Sequence, residues 1–168
     1  IKWTTAVPFI LSKWKVMSGV EREKVGKYKS YEDRMRCATG KIMSRVILAC
    51  YTQLEEHVIH IKVQRYGKPY LVNCISHESI QYNVSHSEDI VLLAFTKLPY
   101  IGVDVEKMCK NAGNMEIAKL FTQEEYKAVS LDMSGETFYE YWTAKEAYLK
   151  ALGEGLNRDL NTFRISGS

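Results

Sequence analysis

The chain has 168 residues, 46% of them hydrophobic and 26% charged, with 10 Gly, 3 Pro and 4 Cys. That length suits one compact domain, or two small lobes sharing a core. The composition excludes a mainly disordered, collagen-like or disulfide-scaffold chain. The net charge of +3 divides unevenly: residues 1–68 carry 14 Lys and Arg against 6 Asp and Glu, and residues 69–168 carry 9 against 14. Such a split fits two tasks, one meeting an anion and one holding a cation, or simply two differently solvated surfaces.

The opening IKWTTAVPFILSKWK lacks the features of a signal peptide, and it lacks an initiator Met, as expected of a trimmed or excerpted chain. Residues 31–53 predict a helix, because Met35, Ala38, Ile42, Val46 and Ala49 recur at steps of three and four. Gly40 inside it costs about 1 kcal/mol against Ala, which a close approach of backbone or ligand would justify. Residues 57–65 alternate and predict a strand. YGKP at 66–69 predicts a turn. Residues 81–85, 90–96 and 100–106 predict three more strands, the first two joined by a tight connection at 87–89. The longest apolar run, 90–95, is far short of the roughly 20 residues that span a bilayer. Residues 115–121 predict a short amphipathic segment. Thr122 with Glu125 predicts a capping box. Residues 136–152 predict a long helix ended by Gly153, and 160–165 a last strand. Cys37, Cys50, Cys74 and Cys109 show no CxxC or zinc-finger spacing and predict free buried thiols in a reducing cytoplasm.

Three places break these patterns. Residues 101–106, IGVDVE, put Gly102, Asp104 and Glu106 on one strand face, the two carboxylates roughly 6–7 Å apart. That pair suits Mg²⁺, or is the wet face of an ordinary edge strand. Lys145 falls inside the apolar stripe of the last helix and needs an anionic partner, or it must snorkel. Glu146 and Lys150, at i and i+4, read as a surface ion pair or as a pair placed for chemistry. Third, NVSHS at 83–87 ends a strand with two hydroxyls and an imidazole, donors suited to phosphate when the His is protonated. A Ser-His-Asp hydrolase using Asp89 or Asp104 is a weak reading without GxSxG. The Asn83-Val84-Ser85 sequon reads as a chance match in a cytosolic chain. P-loop, GxGxxG, HExxH and nucleic-acid motifs are absent from the sequence.

The segments YGKPYL, YNVSHS, IGVDVEK, FTQEEY and WTAKEAYLKALGEGL, in that order and spacing, resemble the 4'-phosphopantetheinyl transferases of the larger, pseudo-dimeric surfactin type, over residues 20–163. The resemblance implies an α+β fold: two similar α/β lobes related by a pseudo-two-fold, with antiparallel sheets packed with helices. Residues 1–100 would form the N-terminal lobe, on the coenzyme A nucleotide side. Residues 101–168 would form the C-terminal lobe, with the metal site and the carrier-protein side. The second lobe is expected to be truncated, since relatives usually continue with further strands after Phe163.

The implied reaction moves the 4'-phosphopantetheine arm of coenzyme A to a carrier-protein serine and releases 3',5'-ADP. The alternative is a catalytically impaired relative that binds coenzyme A or carrier protein. Asp104, Glu106 and Glu146 match the family's metal ligands, for Mg²⁺ or Mn²⁺. Lys145 and Lys150 match its helix lysine pair, with Lys150 on the pyrophosphate and the leaving group. The base is Glu146 itself or a metal-bound water. His86, beside Ser85, would bind the 3'-phosphate with Arg36. Tyr66, Gly67, Lys68 and Pro69 match the adenine-lining segment. Of the family's basic pair, Lys24 matches one member, while Glu21 stands at the other; Arg22 or Lys27 are the substitutes. The implied partner is an acidic acyl or peptidyl carrier protein, docking on Lys107, Lys110, Met115, Ile117, Lys119 and Phe121. The expectation is a cytoplasmic monomer with no nucleic-acid or membrane partner.

Overall fold

The computed structural model describes residues 1–72, 80–109 and 113–166. A long helix, α3 (Tyr31–Thr52), organises the first part of the chain. Ser30 caps it, its hydroxyl accepting from the Asp33 N–H. The stripe Met35, Ala38 and Ile42 packs against two helices without a sequence prediction, α1 (Trp3–Ser12) and α2 (Gly19–Gly26), and against Val91. α2 opens on a capping box between Ser18 and Glu21. A Cβ on Gly40 would lie 3.2 Å from Val84 Cγ1. The expected cost of this glycine is therefore offset by a close approach of α3 to the strands.

The strands form two antiparallel pairs. β1 (His60–Val63) and β2 (Pro69–Val72) pair with Lys62 opposite Tyr70, around a turn that puts Gly67 at φ +88°. β1 is shorter than the predicted 57–65, and β2 follows the turn where no strand is predicted. β3 (Gln81–Ser87) and β4 (Ile90–Thr96) pair with Val84 opposite Leu93. Beside β4, Lys2 bridges Ile90, and the Ile1 nitrogen donates to the Val91 carbonyl at 2.8 Å. The buried Arg45 pairs with Glu21 at 2.8 Å and donates to the Ile59 carbonyl.

The second part is helical: α4 (Gly113–Ala118), α5 (Gln123–Leu131) and α6 (Glu136–Leu152), followed by 3-10 turns at Gly155–Asn157 and Leu160–Thr162. Its core joins Ala118, Phe121, Val129, Phe138, Leu149 and Leu160. The Thr122 capping box and the Gly153 stop, at φ +74°, both form.

Four expectations change. Residues 160–165 are not a strand, because the Leu160 and Phe163 carbonyls bond Lys145 instead of a neighbouring strand. Residues 100–106 are extended but form no ladder. Phe121, expected on a docking surface, is buried in the core. Cys50 and Cys109 are exposed and Cys37 half-buried, not all buried. Lys110 and Cys74 lie outside the described residues. The architecture is α+β, with two small antiparallel sheets and six α-helices among the described residues. Among the described residues, the four strands lie between residues 60 and 96. No helix among the described residues is long and apolar enough to cross a membrane.

Candidate functional site

Residues 101–107 run between α6 and β3, and glycine permits the first contact. A Cβ on Gly102 would sit 1.9 Å from the Ala147 carbonyl oxygen and 2.4 Å from the Ala151 nitrogen. On the β3 side the contacts are side chains. The Val103 N–H donates to Asn83 Oδ1 at 3.0 Å, and the Lys107 N–H to Ser87 Oγ at 3.0 Å. Asp104 and Glu106 consequently face the same way, as the alternation requires. Ser85 Oγ donates to Asp104 Oδ1 at 2.7 Å, and Ser87 Oγ to Glu106 Oε2 at 3.2 Å.

From α6, Lys150 Nζ reaches Asp104 Oδ1 at 2.6 Å and Ser85 Oγ at 3.0 Å. Two oxygens beside this pair, Asp104 Oδ2 and Glu146 Oε1, are buried without a hydrogen-bond partner. Such groups are costly unless something supplies the missing partner. Burial pushes the Glu146 carboxyl above its ordinary range; Lys150 pulls it back, while Asp104 and Glu106 push it further up. Hard, unpartnered carboxylate oxygens fit a divalent cation. The trio is not drawn into a cluster: among the described residues no three His, Cys, Asp or Glu side chains are close enough to hold a metal ion. The charge that Asp104 meets is the Lys150 ammonium.

Beside this ledge opens a cleft of about 390 Å³ between α3, the β1–β2 turn, β3 and the end of α6. Lys24, Arg36, Tyr66, Gly67, Lys68, Pro69, His86 and Lys150 all line it, so the structure brings together most of the expected nucleotide contacts. Arg36 pairs with Asp33 at 2.9 Å, yet its buried Nε has no partner. His86 keeps an exposed edge, but burial by its surroundings pushes its pKa down, and Arg36 and Lys150 add to this. A dianion in the cleft would supply the opposite charge. Lys68 donates to the Ala151 carbonyl near the negative end of α6, and burial lowers its pKa. Glu21 also lines the cleft, but Arg45 holds its carboxylate. The sequence reading missed Lys41 and Ser44, which continue the polar stripe of Arg36 and Cys37 along α3 at helical spacing.

Lys145 and Ser85 stand outside the cleft lining. Lys145 lies fully buried against Glu125, at 2.9 Å. Ser85 and His86 alternate to opposite faces of β3, and Asp89 pairs with Lys2 at 3.0 Å, so no hydrolase triad forms. Asn83 is 4% exposed and so inaccessible to glycosylation. Lys107 and Lys119 are exposed, while Met115 and Ile117 are half-buried on the helical core.

Two family models match the chain. The model described as 4'-phosphopantetheinyl transferase, N-terminal, matches residues 1–98, and that of the 4'-phosphopantetheinyl transferase superfamily matches residues 100–168. The 4'-phosphopantetheinyl transferase Sfp of Bacillus subtilis is 33% identical over 153 residues, covering 89% of this chain and 66% of that protein. The 4'-phosphopantetheinyl transferase HetI of Nostoc sp. is 30% identical, covering 83% of this chain and 61% of its own. The L-aminoadipate-semialdehyde dehydrogenase-phosphopantetheinyl transferase of Xenopus laevis is 28% identical, covering 88% and 53%. The chain thus spans two thirds or less of the length of these relatives.

Proposed function

The chain belongs to the 4'-phosphopantetheinyl transferase family, and from that premise we propose that it moves the 4'-phosphopantetheine arm of coenzyme A to a carrier-protein serine. One observation carries the proposal: a cation-lined cleft ends at a ledge where two buried carboxylate oxygens have no partner. The cleft takes the nucleotide. Lys24, Arg36 and His86 meet the 3'-phosphate, and residues 66–69 line the base. In the transfer, the serine Oγ forms a bond to the phosphorus next to the pantetheine, and the bond to 3',5'-ADP breaks. Glu146 accepts the serine proton, a role suited to a carboxylate whose pKa is pushed up by burial. Lys150 hydrogen-bonds the departing phosphate and offsets its charge. Asp104, Glu106 and Glu146 would hold Mg²⁺ or Mn²⁺, which supplies neutralising charge at the pyrophosphate.

The proposal includes the two-lobe division: residues 1–100 on the nucleotide side, and 101–168 on the metal and carrier side. It extends to a monomer in the cytoplasm that serves an acyl or peptidyl carrier protein. The test incubates an apo carrier protein with coenzyme A, Mg²⁺ and the chain, and reads the intact mass. One added phosphopantetheine is expected, and no gain on several carriers would overturn the reading. A second reading, a relative that binds without transfer, draws on the Asp104–Lys150 pair, in which a lysine ammonium already neutralises the carboxylate. Calorimetry that shows coenzyme A binding beside an unmodified carrier would favour it.

A further inference from the structure

We propose that Asn83 and Ser87 are positioning residues that, with Ser85, hold the acidic segment so that the Asp104 and Glu106 carboxylates are aimed together at a divalent cation. The inference rests on the site reading above. Asn83, Ser85 and Ser87 project from one face of β3 at alternate positions, roughly 6–7 Å apart. Val103 and Lys107 are four residues apart, as are Asn83 and Ser87, so the two segments keep step. No backbone hydrogen bond joins the two segments among the described residues. The three side chains do the pairing instead.

Asn83 Oδ1 accepts the Val103 N–H, fixing the register just before Asp104. Ser87 Oγ accepts the Lys107 N–H, fixing it just after Glu106. A hydroxyl has one hydrogen to give. Ser85 gives its hydrogen to Asp104 Oδ1 and Ser87 gives its own to Glu106 Oε2. Each carboxylate is thereby held by one oxygen. Asp104 Oδ2, the oxygen left over, is the buried one without a partner. Two carboxylates facing the same way repel and would turn apart into water if nothing fixed them. Groups that orient metal ligands from behind in this manner typically change metal affinity 10–100-fold when removed.

Ser87 decides the test, because it is near the surface and its loss leaves the core intact. Mn²⁺ is titrated into the metal-free chain without coenzyme A, by calorimetry. Ser87→Ala should weaken Mn²⁺ binding about tenfold or more, and Ser87→Thr, which keeps the hydroxyl, should restore it to within about threefold. Coenzyme A affinity in chelator should stay within about twofold in both variants. Asn83→Ala should speed hydrogen exchange at the Val103 amide more than at amides of α5. If Ser87→Ala binds Mn²⁺ like the parent, or if Ser87→Thr is as weak as Ser87→Ala, the positioning role is overturned while the site reading stands. If the parent binds no Mn²⁺, the metal reading falls and this role falls with it.

Discussion

Two faces of α6 carry the same chemistry to different ends. Lys145 and Lys150 are five residues apart, about 140° around the helix. Each meets a carboxylate: Lys145 meets Glu125 at 2.9 Å, and Lys150 meets Asp104 at 2.6 Å. Lys145 is 0% exposed and has further acceptors in the Leu160 and Phe163 carbonyls, at 2.8 and 2.7 Å. Three acceptors match the three hydrogens of an ammonium. Glu125 is equally complete, bonded by Lys145, Thr122 and the Ile165 N–H. On the other face Lys150 is 28% exposed, and beside it Asp104 Oδ2 and Glu146 Oε1 are left over. Breaking a saturated buried ion pair is strongly destabilising, whereas buried oxygens left without a partner are costly until something supplies one. The two lysines that the resemblance places together at the coenzyme A site project from different faces of α6.

Substitutions can break this contrast, and the largest effect is expected at the unsaturated face. Glu146→Gln should lower the transfer rate about 10²–10⁴-fold, read as a mass-spectrometric time course of carrier modification. Coenzyme A affinity should change little, and an undiminished rate would remove Glu146 from the chemistry. At the saturated face, Lys145→Met should cost about 3–5 kcal/mol in urea unfolding, because it leaves Glu125 as a lone buried carboxylate. The folded fraction should still bind coenzyme A. Lost coenzyme A affinity at unchanged stability would reverse the assignment of the two lysines.

Gly102→Ala sharpens the comparison from outside the helix. The added methyl meets the Ala147 carbonyl, so a loss of about 1–3 kcal/mol is expected, together with slower transfer as the acidic segment lifts from α6. Wild-type behaviour there would mean that the segment is not seated on the helix. The smallest effect is a pH dependence. Burial pushes the Glu125 carboxyl up, but the Ile165 N–H, Lys145 and Thr122 outweigh it and the net shift is downward. A carboxyl lowered on folding stabilises the protein at neutral pH, and that contribution is lost as the pH falls through the lowered value. The stability advantage of the parent over Glu125→Gln should therefore be full near neutrality and shrink in acid. An advantage that grows in acid would contradict the bonding around Glu125.

Much of the fold was legible where one local pattern decides an element. α3 and α6 carry apolar stripes longer than any competing signal. The Thr122–Glu125 box marks the start of α5, and the apolar run of β4 shows with β3 just before it across a short connection. α1 and α2 were not legible. Pro8 interrupts the first, and the second is short and charged, so neither announces its buried face. Residues 160–165 are a strand candidate in the sequence, but the Leu160 and Phe163 carbonyls bond a lysine ammonium. Residues 100–106 have the alternation of a strand and keep it, yet their partners are the side chains of Asn83, Ser85 and Ser87. Periodicity reports which way side chains point, not whether backbone or side chain supplies the hydrogen bond.

The sequence alone determined that Asp104 and Glu106 share a face, that Lys145 needs an anionic partner or a route to water, and that the chain turns around Gly67. The basic and acidic parts seen in the charge count are likewise fixed by composition. Each of these follows from geometry within one segment, where covalent spacing sets direction. Only the tertiary structure decided that Glu125 is the anion for Lys145, and that Arg45 neutralises Glu21 beside the cleft. It also decided that Lys150 bridges the basic cleft and the acidic ledge. Those pairings join residues 20 to 46 positions apart, and the packing of α3 against α2, and of α6 against α5 and the 101–107 segment, brings them within hydrogen-bond distance.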